Sequence, residues 1–177
     1  MSDTHRSPVI TGRGKQLIFI LCIACGAFMA NLDITILNTA LPTIARDFSA
    51  TPNTVAMVVL LYQIFEAGFL LFFGKLGDIR GFRGIYTSGF AVFTIGSLMC
   101  GLSKGMTLLL VARAVQGLGG AMLFSVMMAT VSSFLPEGSR GKGIGTVTLA
   151  AAVGIALGPP LGGFIATAFN WRWIFLV

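Results

Sequence analysis

Leu17–Pro42 reads LIFILCIACGAFMANLDITILNTALP, and the one charged residue between Lys15 and Arg46 is Asp33. The run is longer than the ~20 apolar residues a helix needs to cross a bilayer. An ionised carboxylate in hydrocarbon costs roughly 3 kcal/mol on insertion scales. Asp33 is therefore expected to face protein or water and to hold a proton or a cationic partner. The alternative is a place near the helix end, within reach of the headgroups.

The rest of the chain has the same character. Hydrophobic residues make up 55% and charged residues 10%, against about 25% charged in soluble domains, so an integral membrane protein is expected. Charges cut the sequence into spans. Span two, between Asp47 and Lys75, holds only Glu66; span three, between Arg83 and Lys104, holds none. Span four, between Lys104 and Glu137, holds only Arg113; span five, between Lys142 and Arg172, holds none. A sixth apolar run starts at Trp173 and reaches only Val177. The runs do not alternate, which excludes barrel strands, so they are predicted to be helices. The fold class is all-α and membrane-embedded: five complete transmembrane helices plus the start of a sixth. Residues 1–14 read as a cytoplasmic tail and 15–177 as one helical bundle.

Lys and Arg set the orientation. Arg6, Arg13, Lys15, Lys75, Arg80, Arg83, Arg140 and Lys142 fall on one side, and Arg46, Lys104 and Arg172 on the other. The N-terminus is expected in the cytoplasm, with the chain in the cell (inner) membrane. The net charge of +6 then serves topology and anionic lipid headgroups rather than nucleic acid. The first apolar run is too long for the core of a cleavable signal. Short connections carry turn chemistry at Asp47–Asn53 and at Pro136–Ser139. Trp171 and Trp173 flank Arg172 as an outer aromatic belt would.

Cys22 and Cys25 are spaced C-x-x-C but lie inside span one, so they and Cys100 read as small packing residues rather than a redox motif. His5 carries no signal. No metal-ligand cluster, catalytic triad or G-x-x-x-x-G-K-[ST] stretch is present, so neither an enzyme, a bound metal or cofactor, nor ATP drive is expected.

The three intramembrane charges have calculable depths. At 1.5 Å per residue, Asp33 lies roughly 12 Å below the outer edge near Leu41, and Arg113 roughly 10 Å below the edge near Met106. Opposite charges at one depth predict an Asp33–Arg113 pair. A proton arriving at Asp33 would free the arginine and make a switch; a static structural pair is the plainer reading. Glu66 falls near the midplane, with Tyr62 at i−4 and Gln63 at i−3 on the same face. An acid beside a phenol suits a cationic, partly aromatic ligand. A protonated, packed Glu66 is equally consistent. Met122, Phe124, Met127 and Met128 read either as an adaptable pocket or as lipid-facing packing.

Four stretches resemble one family. Gly74-Lys75-Leu76-Gly77-Asp78-Ile79-Arg80-Gly81-Phe82-Arg83 resembles G-x-L-a-D-r-x-G-r-k, the loop between helices two and three of the major facilitator superfamily. It matches at Gly74, Leu76, Asp78, Gly81 and Arg83 and departs at Ile79 and Phe82. Leu109, Arg113, Gln116, Gly117 and Gly119–Ala121 resemble the fourth-helix motif, whose arginine is tied to proton coupling. Gly154, Gly158, Pro159, Gly162 and Gly163 resemble the fifth-helix antiporter motif. Leu32–Pro42 is similar to the first-helix motif of the fourteen-helix drug:proton antiporters. Trp171–Leu176 resembles the start of helix six.

The resemblance implies the N-terminal bundle of a proton-coupled multidrug exporter, driven by a proton gradient. Asp33 and Arg113 would handle protons. Glu66, Tyr62, Gln63 and Asn38 would contact lipophilic cations, and Asp33, Arg113 and Glu66 would line a central cavity. Gly74, Gly77, Asp78, Arg80, Gly81, Arg83, Gln116, Gly117, Gly154, Gly158, Pro159, Gly162 and Gly163 would serve gating. In the family, transport is the rocking of two bundles about a midplane site. The Gly74–Arg83 loop and the fifth-helix glycine face would then await a second bundle absent from this sequence. Three origins are consistent: the first portion of a longer transporter, which the stop at Val177 favours; a half that pairs with itself or another chain; or a truncated product. The competing function is a non-transporting subunit that docks a partner through Gly154–Gly163.

Overall fold

The computed structural model describes residue 10 and residues 12–176. His5, Arg6, most of the tail over residues 1–14, and Val177 lie outside the described residues. Five helices are long and apolar enough to cross a membrane: α1 (Arg13–Asp47), α2 (Pro52–Arg80), α3 (Phe82–Gly101), α4 (Met106–Phe134) and α5 (Glu137–Ala168). A 3-10 helix, Trp171–Phe175, follows, and no strand occurs among the described residues.

The connections are shorter than the sequence implied. Thr51 caps α2 by accepting from the Thr54 N–H at 3.3 Å, with Pro52 in the first turn where its missing donor costs nothing. The Gly74–Arg83 stretch is not a loop. α2 runs through it to Arg80, and the whole reversal falls on Gly81, whose φ of 95° is open to glycine at no steric cost. Two residues, Leu135 and Pro136, separate α4 from α5, rather than a four-residue break. α5 continues through Pro159 and Pro160.

Small residues decide the packing, as expected where lipid gives helices no hydrophobic drive to associate. α2 and α3 pack along α4, and α1 packs along α5. A methyl on Gly96 of α3 would come within 2.7 Å of the Gln116 backbone, and one on Gly89 within 2.7 Å of Met122 Cβ. Gly117 faces the Tyr62 carbonyl on α2 in the same way. The stripe Gly154, Gly158 and Gly162 is pressed on Phe28, Thr35, Ile36 and Thr39 of α1, and Thr35 Oγ1 lies 3.4 Å from the Gly154 carbonyl as its donor. The fifth-helix glycine face therefore has an in-chain partner. That removes it as a vacant docking face; only Gly163, with nothing within 4 Å, is open.

The end of the bundle that carries Asp47 and the 3-10 helix is tied by polar groups. Trp171 is 2% exposed, so it belongs to the core rather than to an aromatic belt, whereas Trp173 is 53% exposed. The Trp171 Nε1–H donates to Asp47 Oδ2 at 2.9 Å, Arg172 pairs with the same oxygen at 3.0 Å, and Arg172 Nε donates to the Ser103 carbonyl at 3.1 Å. The guanidinium lies 4.3 Å from the Trp171 ring centroid. Asp47 and Arg172 together thus join α1, the α3–α4 turn and the 3-10 helix. Asp47→Ala is expected to cost about 1–2 kcal/mol, because Asp47 is partly exposed but accepts two donors. Thermal unfolding of the chain in detergent reads it, and an unchanged midpoint would show the tie to be ornamental.

A buried ion pair as the candidate functional site

A buried polar cluster joins the α1–α5 group to the α2–α3–α4 group. Arg113 Nη1 lies 2.8 Å from Asp33 Oδ2, with the two side chains 1% and 7% exposed. Gln116, one turn along α4, completes it: its Nε2 donates to Asp33 Oδ1 at 2.8 Å, and its Oε1 accepts from Arg113 Nη1 at 2.6 Å. Arg113 Nε donates to the Val58 carbonyl at 3.0 Å. Such a pair is tolerable in an apolar interior only when it is hydrogen-bonded, and here Arg113 Nε and Nη1 and both Asp33 oxygens are engaged.

The network extends further than the three residues. Gln116 Nε2 also reaches Ser97 Oγ at 3.2 Å, and Ser97 donates to the Phe175 carbonyl at 2.7 Å. Cys100 Sγ lies 3.6 Å from Gln116 Oε1. Ser97 carries no mark in the sequence, and Cys100 reads there only as a packing residue, because span three carries no charge and neutral polar residues in a membrane helix give no pattern. The small residue at Gly96, which lets α3 reach Gln116, was the available signal.

The remaining expected site residues divide. Tyr62 is fully buried, and the face of its ring is taken by the Arg113 guanidinium at 4.3 Å from the centroid. The ring therefore carries the protein's own cation and offers no face to a ligand in this structure. The Tyr62 hydroxyl has no hydrogen-bond partner. It and Glu66 Oε1 both lie over Gly120, at 2.7 Å and 3.7 Å from where a Cβ would stand. Glu66 is half-buried, and Gln63 and Asn38 are exposed. Asp33 opens instead to a separate cavity of about 300 Å³ between α1, α3 and the 3-10 helix, lined by Cys25, Phe93, Thr94 and Ser97 among others. Of the three intramembrane charges, Asp33 is the one that lines this cavity.

Met122 and Met127 are core residues, packed with Ile85 and Val126 and with Ile23 and Val131 respectively, while Met128 is 44% exposed. Met122 and Met127 thus belong to two different core clusters. Cys100 is buried, but Cys22 and Cys25 are exposed on α1 rather than packed. Gly77 sits against Val126, with a Cβ position 2.6 Å from its Cγ1. Asp78 and Arg80 at the end of α2, and Arg83 in the first turn of α3, are exposed and make no ion pair among the described residues. Gly74 is in ordinary contact range of Ser125, and Pro159 is exposed. No group of acids, histidines and cysteines suited to a metal occurs among the described residues.

Comparison with known proteins adds a framework. A profile of the Major Facilitator Superfamily matches residues 23–177. The riboflavin transporter RibZ of Clostridioides difficile (strain 630) is 40% identical over 92% of this chain and 36% of its own length. The "Uncharacterized transporter YebQ" of Escherichia coli (strain K12) is 44% identical over 89% of this chain and 35% of its own. The "Putative multidrug resistance protein MdtD" of Escherichia fergusonii is 42% identical over 88% of this chain and 33% of its own. The chain spans about a third of the length of the curated relatives it matches.

Proposed function

Because the chain belongs to the major facilitator superfamily, a multi-pass membrane transporter family, we propose that it is the N-terminal bundle of a proton-coupled exporter of lipophilic small molecules. The observation that carries this reading is the buried Asp33–Arg113 pair with its Gln116 bridge. An intramembrane ion pair on two helices that otherwise pack in separate groups is suited to convert a proton into a movement. The names of the MdtD relatives support drug export, and that of RibZ supports a flat aromatic cargo. The distribution of Lys and Arg supports a cytoplasmic N-terminus in the cell membrane. The second bundle of a rocking pair, from the same polypeptide or another, would meet the exposed faces of α2 and α5.

The test is proton release. Adding a lipophilic cation such as tetraphenylphosphonium to the chain in weakly buffered detergent should release protons, read with an indicator dye. Asp33→Asn should abolish the release. Release of the same size from Asp33→Asn would sink the reading. Uptake of the same probe into liposomes under a pH gradient extends the test to transport.

Glu66 supplies selectivity for charge in this scheme. It is half-buried on α2 and has no hydrogen-bond or ion-pair partner among the described residues, so a cationic cargo would gain a counter-charge there. Glu66→Gln is expected to weaken binding of lipophilic cations about tenfold, ~1.4 kcal/mol, and to leave neutral cargo unaffected. Equilibrium binding of one cationic and one neutral aromatic dye compares the two. Equal losses for both dyes would assign Glu66 to packing instead.

A further inference from the structure

Resting on the reading that Asp33 exchanges protons, we propose that Gln116 is the positioning residue that makes protonation of Asp33 and release of Arg113 a single event.

The chemistry of the partners fixes how the Gln116 amide is turned. A guanidinium has only donors, so Oε1 must face Arg113; an ionised carboxylate only accepts, so Nε2 must face Asp33. The second shell locks the same orientation. Ser97 spends its own hydrogen on the Phe175 carbonyl and therefore shows Nε2 a lone pair, and the Cys100 thiol can donate to Oε1. Both donor positions and both acceptor positions of the amide are used, inside a cluster that solvent barely reaches.

Consider where a proton can go. On Oδ2 it occupies the oxygen that Arg113 uses. On Oδ1 it faces the Nε2 hydrogens, donor against donor, and the amide must turn over. A turned amide points its NH₂ at the guanidinium and withdraws Oε1. Protonation on either oxygen therefore costs Arg113 one of its two side-chain acceptors. Without the amide this would not follow. A proton could rest on Oδ1 while Oδ2 continued to accept from Arg113, and proton binding would be separated from arginine movement. Once released, Arg113 keeps Val58 and the Tyr62 ring, both on α2, so the displaced charge is handed to that helix.

Other titratable groups around Asp33 do not supply this coupling. On α3 there is Cys100, whose thiol meets Gln116 rather than the carboxylate. On α2 there are Tyr62, beneath Arg113, and Glu66, over Gly120. Arg172 on the 3-10 helix is engaged with Asp47, and the charged residues of α5, Glu137, Arg140 and Lys142, lie at its far, inner end.

The experiment follows both partners in the chain in micelles across pH. Infrared absorption reads the Asp33 carboxylic acid, assigned by its loss in Asp33→Asn, and nitrogen NMR reads the Arg113 guanidinium. In the unsubstituted chain the two signals should change at one midpoint. In Gln116→Met the acid should still appear while the Arg113 shift is lost. Gln116→Leu likewise offers Asp33 no donor and Arg113 no acceptor, so it too should lose the Arg113 shift. The two variants differ in shape and flexibility, and either one that folds decides the matter. An Arg113 signal that still moves at the Asp33 midpoint in a folded variant overturns the role of Gln116 alone. So does a fixed Arg113 signal in the unsubstituted chain while Asp33 titrates. If Asp33 never titrates there, the proton-coupled reading itself fails.

Discussion

Arg113→Leu should be the most damaging single substitution in the chain, lowering stability by about 3–5 kcal/mol, as expected when one member of a buried pair is removed. The reason is what remains. Asp33, 7% exposed, would keep its carboxylate in the interior with only Gln116 donating to it, and the Val58 carbonyl and Tyr62 ring would lose their cation. The sign of the pH dependence follows from the stranded charge. Protonation neutralises it, so the loss should be largest at high pH and shrink as pH falls. Asp33→Asn combined with Arg113→Leu removes both charges and should recover most of the stability, yet release no protons on cargo binding. Thermal unfolding in detergent at several pH values, with the dye assay beside it, reads all three outcomes. A double variant as unstable as Arg113→Leu alone would mean that the arginine acts through packing and not as a counter-charge.

That pairing was legible before any coordinates because a helix converts residue counts into depth, and because charges in hydrocarbon are too costly to be scattered. Asp33 and Arg113 each stood alone in a span, at similar calculated depths, and the fold sets them 2.8 Å apart. What surrounds them was not legible. A serine or a thiol costs little in a membrane helix, so Ser97 and Cys100 left no mark in the pattern. Tyr62 was visible as the neighbour of Glu66 on one face, but helical spacing does not say which object covers a ring, and the object is Arg113. Trp171 adjoins Arg172 and Trp173 and so has the sequence pattern of an interfacial indole; its Nε1–H bond to Asp47 and its packing against Phe48 and Phe175 take it into the core. The glycines of the Gly74–Arg83 stretch illustrate the same limit. Glycine permits a turn without requiring one, and only Gly81 adopts a backbone angle that uses the permission.

The fifth-helix glycines lead to the second large effect. Gly158→Val is expected to lose about 3 kcal/mol or more, at or beyond the upper range for overpacking. A Cβ at Gly158 would overlap Thr35 Oγ1, stand 2.6 Å from Thr35 Cβ, and stand 2.9 Å from the Ile36 backbone nitrogen. The backbone cannot rotate away as a flexible side chain would, so the added atoms must push α1 off α5. That displacement acts on the site, because Thr35 and Ile36 lie on α1 within three residues of Asp33. The Asp33 contacts of 2.8 Å to Arg113 and Gln116 leave no slack to absorb it. Gly158→Val should therefore lose proton release on cargo addition together with stability, although it touches no charged group. Gly163→Ala is the control: nothing lies within 4 Å of that position, and alanine favours the helix by up to about 1 kcal/mol over glycine, so the chain should be unharmed or slightly firmer. The same two variants decide between the readings of this face. A stripe held by α1 makes Gly158→Val unfold the bundle by itself, in dilute detergent. A stripe kept free for a partner would leave the isolated chain intact and weaken only its association, and that outcome, seen by size-exclusion chromatography, would restore the docking face and displace the packing argument.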